Sequence, residues 1–477
     1  MKIFFVLVSL TYSLAFGVIF SFLILSYSDD YTKKSIISNI SSKYLRSRNP
    51  FETKLDKVTE VVDAMHRKHV YDSFYRPIRN SFGVNCSKLI DNDKYEIFKA
   101  KTIMSSGRNT KSNLTSDFYL NITRNCSLFR KTRGYIQHPL TEEERAFPIA
   151  FSILAYTDIE QIERLLRIIY RPHNYYCIHM DSKMSPTEKK ALKMIAYCLS
   201  NVFIAGKSID VTWGNFTLLE AELVCMETMW PFKAWKYYIN LAGQEFPLKT
   251  NRQIVAILKV LNGANVVQGN RKTEYNESCP IHQASATSSR SNVSMQKRIG
   301  MKKTPPPYGI QITKGSMHIA ANRFFVDFCL HDTRAREYLE WLKITRIPDE
   351  LFFSSLNHNP HLGIPGSYIG EDGTSCLKPF FLRFVIWGNK GDGNCHGYYV
   401  RNVCVLGVED LYRAYNGMDL FVNKFHLGYE HLALDCLEEV LYELTWKEFV
   451  DDIHIDASYY KHLHYVKMQL KSNEIYS

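Results

Sequence analysis

One carboxylate and two cations in the second half of the chain have the types and surroundings that acid–base and anion chemistry needs. Glu350 ends the run Ile347-Pro348-Asp349-Glu350, and proline at a helix's first turn with two acids beside it marks a helix N-terminus. Capping alone accounts for Asp349. Glu350 has the alternative of facing a cleft as an ionised carboxylate. Arg401 and Lys424 belong to a stretch from Cys395 to Lys424 in which Cys395 and Cys404 stand close enough to staple a short loop. Aromatic and apolar neighbours predict that both cations are partly buried, where an unpaired charge is costly. Two such cations without nearby acids ask for an anionic ligand, and a diphosphate suits their charge. Each could instead pair with a remote carboxylate, and on these residues alone that reading is the simpler one.

The elements that must position these groups are legible from Pro148 onward. Ile149 to Ala155 reads as a buried strand, and Asp158 caps a helix whose apolar residues Ile159, Ile162, Leu165, Leu166 and Ile169 share one face. Strands follow at Tyr175 to Met180, Val202 to Ala205 and Trp235 to Leu241. They alternate with helices at Lys189 to Leu199, Leu218 to Met229 and Arg252 to Leu261, the last capped by Thr250. Strand alternating with helix predicts an α/β fold with a mainly parallel sheet. Ligands in such sheets bind beyond the strands' carboxyl ends, which puts Asp181 at a ligand-facing edge. No Gly-x-Gly-x-x-Gly follows the first strand, so a dinucleotide site lacks support. Residues 263–309 read as a long loop, after which Ala321 to Leu330 and Arg334 to Lys343 read as helices.

The 477 residues suffice for a sizeable core, and 45% hydrophobic with 22% charged residues is an ordinary globular balance. The formal charge of +11 is spread along the chain, which argues against a nucleic-acid-binding stripe. From Ile3 to Ser28 there is no charged residue, long enough to cross the roughly 30 Å hydrocarbon core as an uncleaved anchor. The remainder carries Asn-x-Ser/Thr sequons at Asn39, Asn85, Asn113, Asn121, Asn125, Asn215, Asn276 and Asn292, together with eleven cysteines. That combination predicts an oxidising, glycosylating lumen for the C-terminal body. An odd cysteine count leaves a thiol free or open to pairing with a second copy in a homodimer. Asp91-Asn92-Asp93 resembles an Asp-x-Asp metal motif but follows no buried strand, so no metal site is assigned.

Taken together and in order, Tyr176-Cys177-Ile178-His179-Met180-Asp181, Ile239-Asn240-Leu241-Ala242-Gly243, Phe246-Pro247-Leu248-Lys249-Thr250-Asn251, Pro348-Asp349-Glu350 and the Cys395–Lys424 stretch resemble the β-1,6-N-acetylglucosaminyltransferases that make core 2 and I branches. The resemblance runs from about Cys86 to Cys436. It implies a type II Golgi membrane enzyme with a GT-A-like fold that transfers GlcNAc from UDP-GlcNAc, with inversion and without a metal ion. Glu350 would be the general base for the acceptor's 6-hydroxyl. Arg401 and Lys424 would hold the diphosphate, and Asp181 would contact the nucleotide. The implied disulfides are Cys86–Cys436, Cys126–Cys198, Cys177–Cys225 and Cys395–Cys404, leaving Cys279, Cys329 and Cys376 over. Ala242 stands where core 2 enzymes carry an unpaired cysteine.

Departures from the family pattern fall on the acceptor side. Gln268 aligns with a glutamate that binds sugar hydroxyls, Trp387 retains an aromatic platform, and Asn389 replaces an acceptor-contacting tyrosine. The usual serine before Pro-Asp-Glu is Ile347. The implied layout is a cytoplasmic tip at 1–3, an anchor at 4–27, a stem at 28–85 and a lumenal body at 86–477. Within the body, 148–262 is a nucleotide-binding half, 263–309 a variable loop, and 310–440 an acceptor and catalytic half. A weaker likeness through Val211-Thr212-Trp213-Gly214 points to peptide xylosyltransferases, and a lumenal binding protein without turnover is the non-enzymatic alternative. In this company the metal-free diphosphate clamp becomes the better reading of Arg401 and Lys424.

Overall fold

The computed structural model describes residues 64–65, 67–71, 83–106, 114–269, 304–370, 379–388 and 394–471. The predicted anchor at 4–27 lies outside them, as do Asn39, Asn113, Asn276, Asn292, Asn389, Cys279 and Cys376. Among the described residues no helix is long and apolar enough to cross a membrane.

The apolar runs become a six-stranded sheet in the order β3-β2-β1-β4-β7-β6. Strands β1 (Ile149–Ala155), β2 (Tyr175–Met180), β3 (Val202–Ile204) and β4 (Tyr237–Ala242) are parallel, as the strand–helix alternation predicts. Side chains alternate across β1, so the sheet has two apolar faces. Ile149, Phe151 and Ile153 meet Ile162 and Leu165 of helix α1 (Ile159–Ile169), Leu192 of α2 (Pro186–Tyr197) and Leu258 of α4 (Asn251–Val260). On the other face Ala150, Cys177 and Tyr238 meet Leu219 and Met226 of α3 (Phe216–Met229) and Phe325 of α5 (Arg323–His331). Each fully buried side chain of Leu, Ile or Phe size contributes roughly 1.5–3 kcal/mol. Helix α1 is fixed further by Arg164, buried 2.7 Å from Asp435 and 2.6 Å from Glu438 of the long C-terminal helix (Leu432–Val450).

Two expectations are corrected at the sheet's edge. The predicted loop at 263–309 contributes β6 (Val266–Val267), and Ala321 and Asn322 belong to strand β7 (Ile319–Asn322) rather than to a helix. Strand β7 runs antiparallel to both β4 and β6. Helix α5 begins only at Arg323 because Asn322 turns its side chain onto the Phe325 amide at 2.9 Å, a cap that ends the strand and starts the helix.

A smaller three-stranded sheet, β5 (Glu245–Pro247), β11 (Phe421–Asn423) and β8 (Arg383–Phe384), lies beyond the end of β4. All four disulfides expected from the resemblance are formed: Cys86–Cys436, Cys126–Cys198, Cys177–Cys225 and Cys395–Cys404. Cys329 is free and buried. Asp91-Asn92-Asp93 is a corner between two short helices, where Asp93 caps the second by accepting from the Glu96 amide at 3.0 Å.

Candidate active site

The chain progresses outward from β1 through β2 to β3, and then returns to place β4 on the opposite side of β1. The reversal opens a crevice beyond the carboxyl ends of β1 and β4, the place where open α/β sheets hold ligands. Residues 424–427 lie across it, tied from both sides. The Phe425 amide donates to Gln244 O at 3.0 Å, just past β4. From the first turn of α1, Gln161 donates to Phe425 O at 2.9 Å and accepts from the Leu427 amide at 3.3 Å. Asp158 caps that helix from a left-handed φ of 64°, its side chain accepting from the Gln161 amide.

Lys424 is thereby held over the crevice, half-buried and with no carboxylate contact among the described residues. Burial lowers the affinity of its ammonium for the proton, and the Arg401 charge lowers it further. Two cations that repel each other this way, with no acid between them among the described residues, are a pair that a bound anion would neutralise. Arg401 sits at the tip of a hairpin, β9 (Tyr398–Val400) and β10 (Val403–Val405), whose two turn residues have φ of 51° and 67°. Positive φ at both positions is the two-residue turn that fits the twist of paired strands. The Arg401 side chain is exposed, which corrects the expectation that both cations are partly buried: a turn tip cannot be covered by the strands it joins. The Cys395–Cys404 bond staples the hairpin, and the Leu406 amide donates to Lys424 O at 3.0 Å, bringing the two cation-bearing segments together.

Trp387 pairs with Val403 alongside the same hairpin, so the predicted aromatic platform lies next to the Arg401 turn. Gly388, which follows it, has no room for a side chain: a Cβ there would stand 2.8 Å from Asn402 Oδ1 and 3.2 Å from the Tyr399 ring. Asp181 is at the end of β2 as expected, with both oxygens engaged. It accepts from the Lys183 amide at 2.8 Å and the Val211 amide at 3.3 Å, and Lys183 Nζ lies 2.9 Å away. Its carboxylate organises the loops around it.

Glu350 reaches the same edge of the sheet from the other direction. It ends a single 3₁₀ turn, Pro348–Glu350, which leads through Leu351 into the short helix Phe352–Asn357, so the helix N-terminus expected from Pro348 and the two acids is present. Ile347 before it takes φ of 56° and donates its amide to Gly214 O at 2.8 Å, which fastens the turn to the loop before α3. Asp349 is buried with Oδ1 lacking a partner, and burial, reinforced by the Glu350 charge, pushes its carboxyl up to about 7. Asp349 does stand in the first turn, but a buried oxygen without a partner is more than capping alone explains. Glu350 itself is partly exposed, 3.2 Å from Lys314 Nζ, and its carbonyl accepts from the Gly315 amide at 2.8 Å. Gly315 is pressed against Gln268 O so closely that a Cβ would come within 1.8 Å. Gln268 thus borders the segment that carries Lys314 to Glu350. That segment continues into β7, tied to the end of β4 by Asn240, which donates to Met317 O and accepts from the Ile319 amide, each at 2.8 Å.

With these groups in place, the comparisons with known proteins bear on the site. The family model described as core-2/I-branching enzyme matches residues 149–414, more than half the chain, and that span contains β1, Asp181, Glu350 and Arg401. The chain belongs to the core-2/I-branching family. It is a glycosyltransferase, and its similar relatives include a β-1,3-galactosyl-O-glycosyl-glycoprotein β-1,6-N-acetylglucosaminyltransferase 3 of Ovis aries, 34% identical over 390 residues, covering 79% of this chain and 85% of the relative. A Homo sapiens enzyme with the same activity in its name is 35% identical over 374 residues, covering 76% and 85%. Another, from Bovine herpesvirus 4 (strain DN-599), is 34% identical over 390 residues. A solved mannosyltransferase from S. cerevisiae in complex with GDP overlaps at a TM-score of 0.22 with 10% identity, covering 62% of this chain and 81% of that one; this is too low to carry an argument.

Several residues of this branching-family site gave no signal in the sequence. Lys314 was unmarked although it pairs with Glu350. Gln161, Glu245, His318, Arg383 and Asn423 tie the crevice together mostly through partners far away in the chain, so that even Asn423, next to Lys424, and Lys183, two residues beyond Asp181, showed no role from their neighbours alone.

Proposed function

We propose that the protein transfers GlcNAc from UDP-GlcNAc to the 6-hydroxyl of a galactoside or GalNAc acceptor, inverting the anomeric centre and forming a β-1,6 branch. The observation that carries this reading is Lys424, held half-buried over the crevice beside Arg401 and without a carboxylate among the described residues. The diphosphate of the donor lies against these two cations, with the nucleotide toward Asp181. Glu350 accepts the proton of the attacking hydroxyl, an otherwise poor nucleophile at neutral pH. As the new C–O bond forms at the anomeric carbon, the bond to the β-phosphate oxygen breaks and its electron pair leaves with UDP. Lys424 and Arg401 take up the charge that grows on that oxygen, the work a divalent metal does in other transferases. Gln268 and Trp387 line the acceptor end in a GT-A-like arrangement, and Asn389 is assigned there from its alignment alone. The names of the relatives support GlcNAc as the sugar transferred and β-1,6 as the linkage.

The body is assigned to the Golgi lumen behind a type II anchor. Four disulfides and the exposed sequon residues Asn85, Asn121, Asn125 and Asn215 suit an oxidising, glycosylating compartment. The test is an acceptor-glycan array probed with the purified lumenal body and a panel of UDP-sugars, followed by linkage analysis. GlcNAc in β-1,6 linkage is expected. Transfer from UDP-xylose alone would favour the xylosyltransferase alternative, and UDP binding without transfer would favour a binding protein.

A further inference from the structure

Next to Lys424 lies a buried charge pair that has no part in the chemistry above. Glu245 of β5 and Arg383 of β8 are both withdrawn from water, with Arg383 Nε 2.9 Å from Glu245 Oε1. The same oxygen lies 3.2 Å from Asn423 Nδ2 and 3.3 Å from His318 Nε2, while Oε2 accepts from the Ala242 amide at 3.1 Å. A carboxylate can only accept, so Asn423 donates through its amide nitrogen. Burial holds His318 down to about 4, so its imidazole is neutral. The Arg383 guanidinium also donates to Asn240 O in β4. One side chain therefore joins the ends of β4, β8 and β11 with the start of β7, and the residue after Asn423 is Lys424. A buried ion pair adds little net stability, because desolvation offsets the attraction and an apolar group of similar volume would serve as well. A role in geometry accounts for what stability does not.

We propose that Glu245 is the positioning residue for Lys424, acting through its hydrogen bond to Asn423. The proposal rests on the reading of Lys424 as a diphosphate-binding cation. Glu245 fixes the last residue of β11 against β4, and the ammonium that follows is aimed into the crevice rather than left to sample the surface.

The test is calorimetric titration of UDP into the lumenal body and three variants. Glu245→Gln strands Arg383 without a counter-charge and can fail to fold, so Asn423→Ala, which leaves the ion pair intact, carries the test. Lys424→Met should weaken UDP binding about a hundredfold. Asn423→Ala should weaken it about tenfold with the melting temperature nearly unchanged, the loss expected for a hydrogen bond to a charged group. The double variant should bind no worse than Lys424→Met, because a positioning residue has nothing left to position. Unchanged UDP affinity in Asn423→Ala, or losses that simply multiply in the double variant, would overturn the inference while leaving the donor site intact. If Lys424→Met itself binds UDP normally, the donor reading fails and this inference with it.

Discussion

The two sides of the crevice handle charge in opposite ways. On the proposed donor side Lys424 is half-buried, repelled by Arg401 and without a carboxylate among the described residues, so its charge is left for a ligand. On the proposed base side Glu350 already has a cation, Lys314 at 3.2 Å, and a buried acid, Asp349, as its neighbour. The supports differ as well. The Lys424 segment is fixed by strand pairing and by Glu245, whereas Glu350 stands on one 3₁₀ turn held by Gly214 and Gly315. An anion site built from strand ends keeps its shape with or without ligand. A base on a short turn, balanced between an acid and a cation, is where small changes alter chemistry rather than binding.

The contrast breaks most visibly at Glu350. Glu350→Gln is expected to lower kcat about a thousandfold, the scale of a lost general base, while UDP affinity measured by calorimetry stays the same. A parallel loss of UDP binding would erase the distinction between the two sides. On the donor side the two cations should be unequal. Lys424→Met should raise the donor Kd about a hundredfold and Arg401→Met about tenfold, because the exposed guanidinium acts through more water than the half-buried ammonium. Equal losses would mean that the hairpin folds down over the donor.

Asp349 sharpens the comparison through pH. Its carboxyl is pushed up to about 7 in the folded chain, against roughly 4 when unfolded. The folded state therefore holds this proton more tightly. The group favours folding at low pH, and the cost of ionising it grows as pH rises from about 4 to about 7 and then levels off. Asp349→Asn should match the wild type at about pH 3.5, below the unfolded value, and be more stable at pH 8, by on the order of 4 kcal/mol. Melting temperatures at the two pH values check this; a variant that loses stability at pH 8 would show the carboxylate to be paired after all.

The smallest effect is expected at the hairpin staple. Replacing both Cys395 and Cys404 by serine should cost roughly 2–3 kcal/mol for so short a loop. UDP affinity should fall only about threefold, since Arg401 would keep its turn but not its rigidity. A larger loss of affinity than of stability would promote Arg401 to the main donor contact.

How much of this was legible in the sequence follows from how local the signals are. Strands β1 and β2 and helix α1 were readable to the residue, since their apolar patterns and the Asp158 cap lie within a few positions. The last two residues of β7 were read as the start of the next helix because alanine favours a helix, and only pairing with β4, some eighty residues earlier, draws Ala321 and Asn322 into the strand. The site divided in the same way. Asp181, Glu350, Arg401 and Lys424 lie in motifs; the structure places Asp181 and Glu350 by the carboxyl edge of the sheet and Lys424 on the segment that crosses it, with Arg401 on the hairpin whose charge acts on Lys424. Glu245, His318, Arg383 and Asn423 look like ordinary polar residues in the sequence. What marks them is burial together, with Asn423 and Glu245 separated by 178 positions. The burial of Arg401 was misjudged for a related reason, because apolar neighbours in sequence do not reveal that a residue caps a turn.

The measurement that bears most directly on the donor clamp is the rate of GlcNAc transfer from UDP-GlcNAc, by the purified lumenal body, in excess EDTA and again with added divalent metal. If Lys424 and Arg401 do the work of a metal, the rates agree and the product carries a β-1,6 linkage. Activity that vanishes in EDTA and returns only with the metal would contradict the account, and would return both cations to an ordinary structural role.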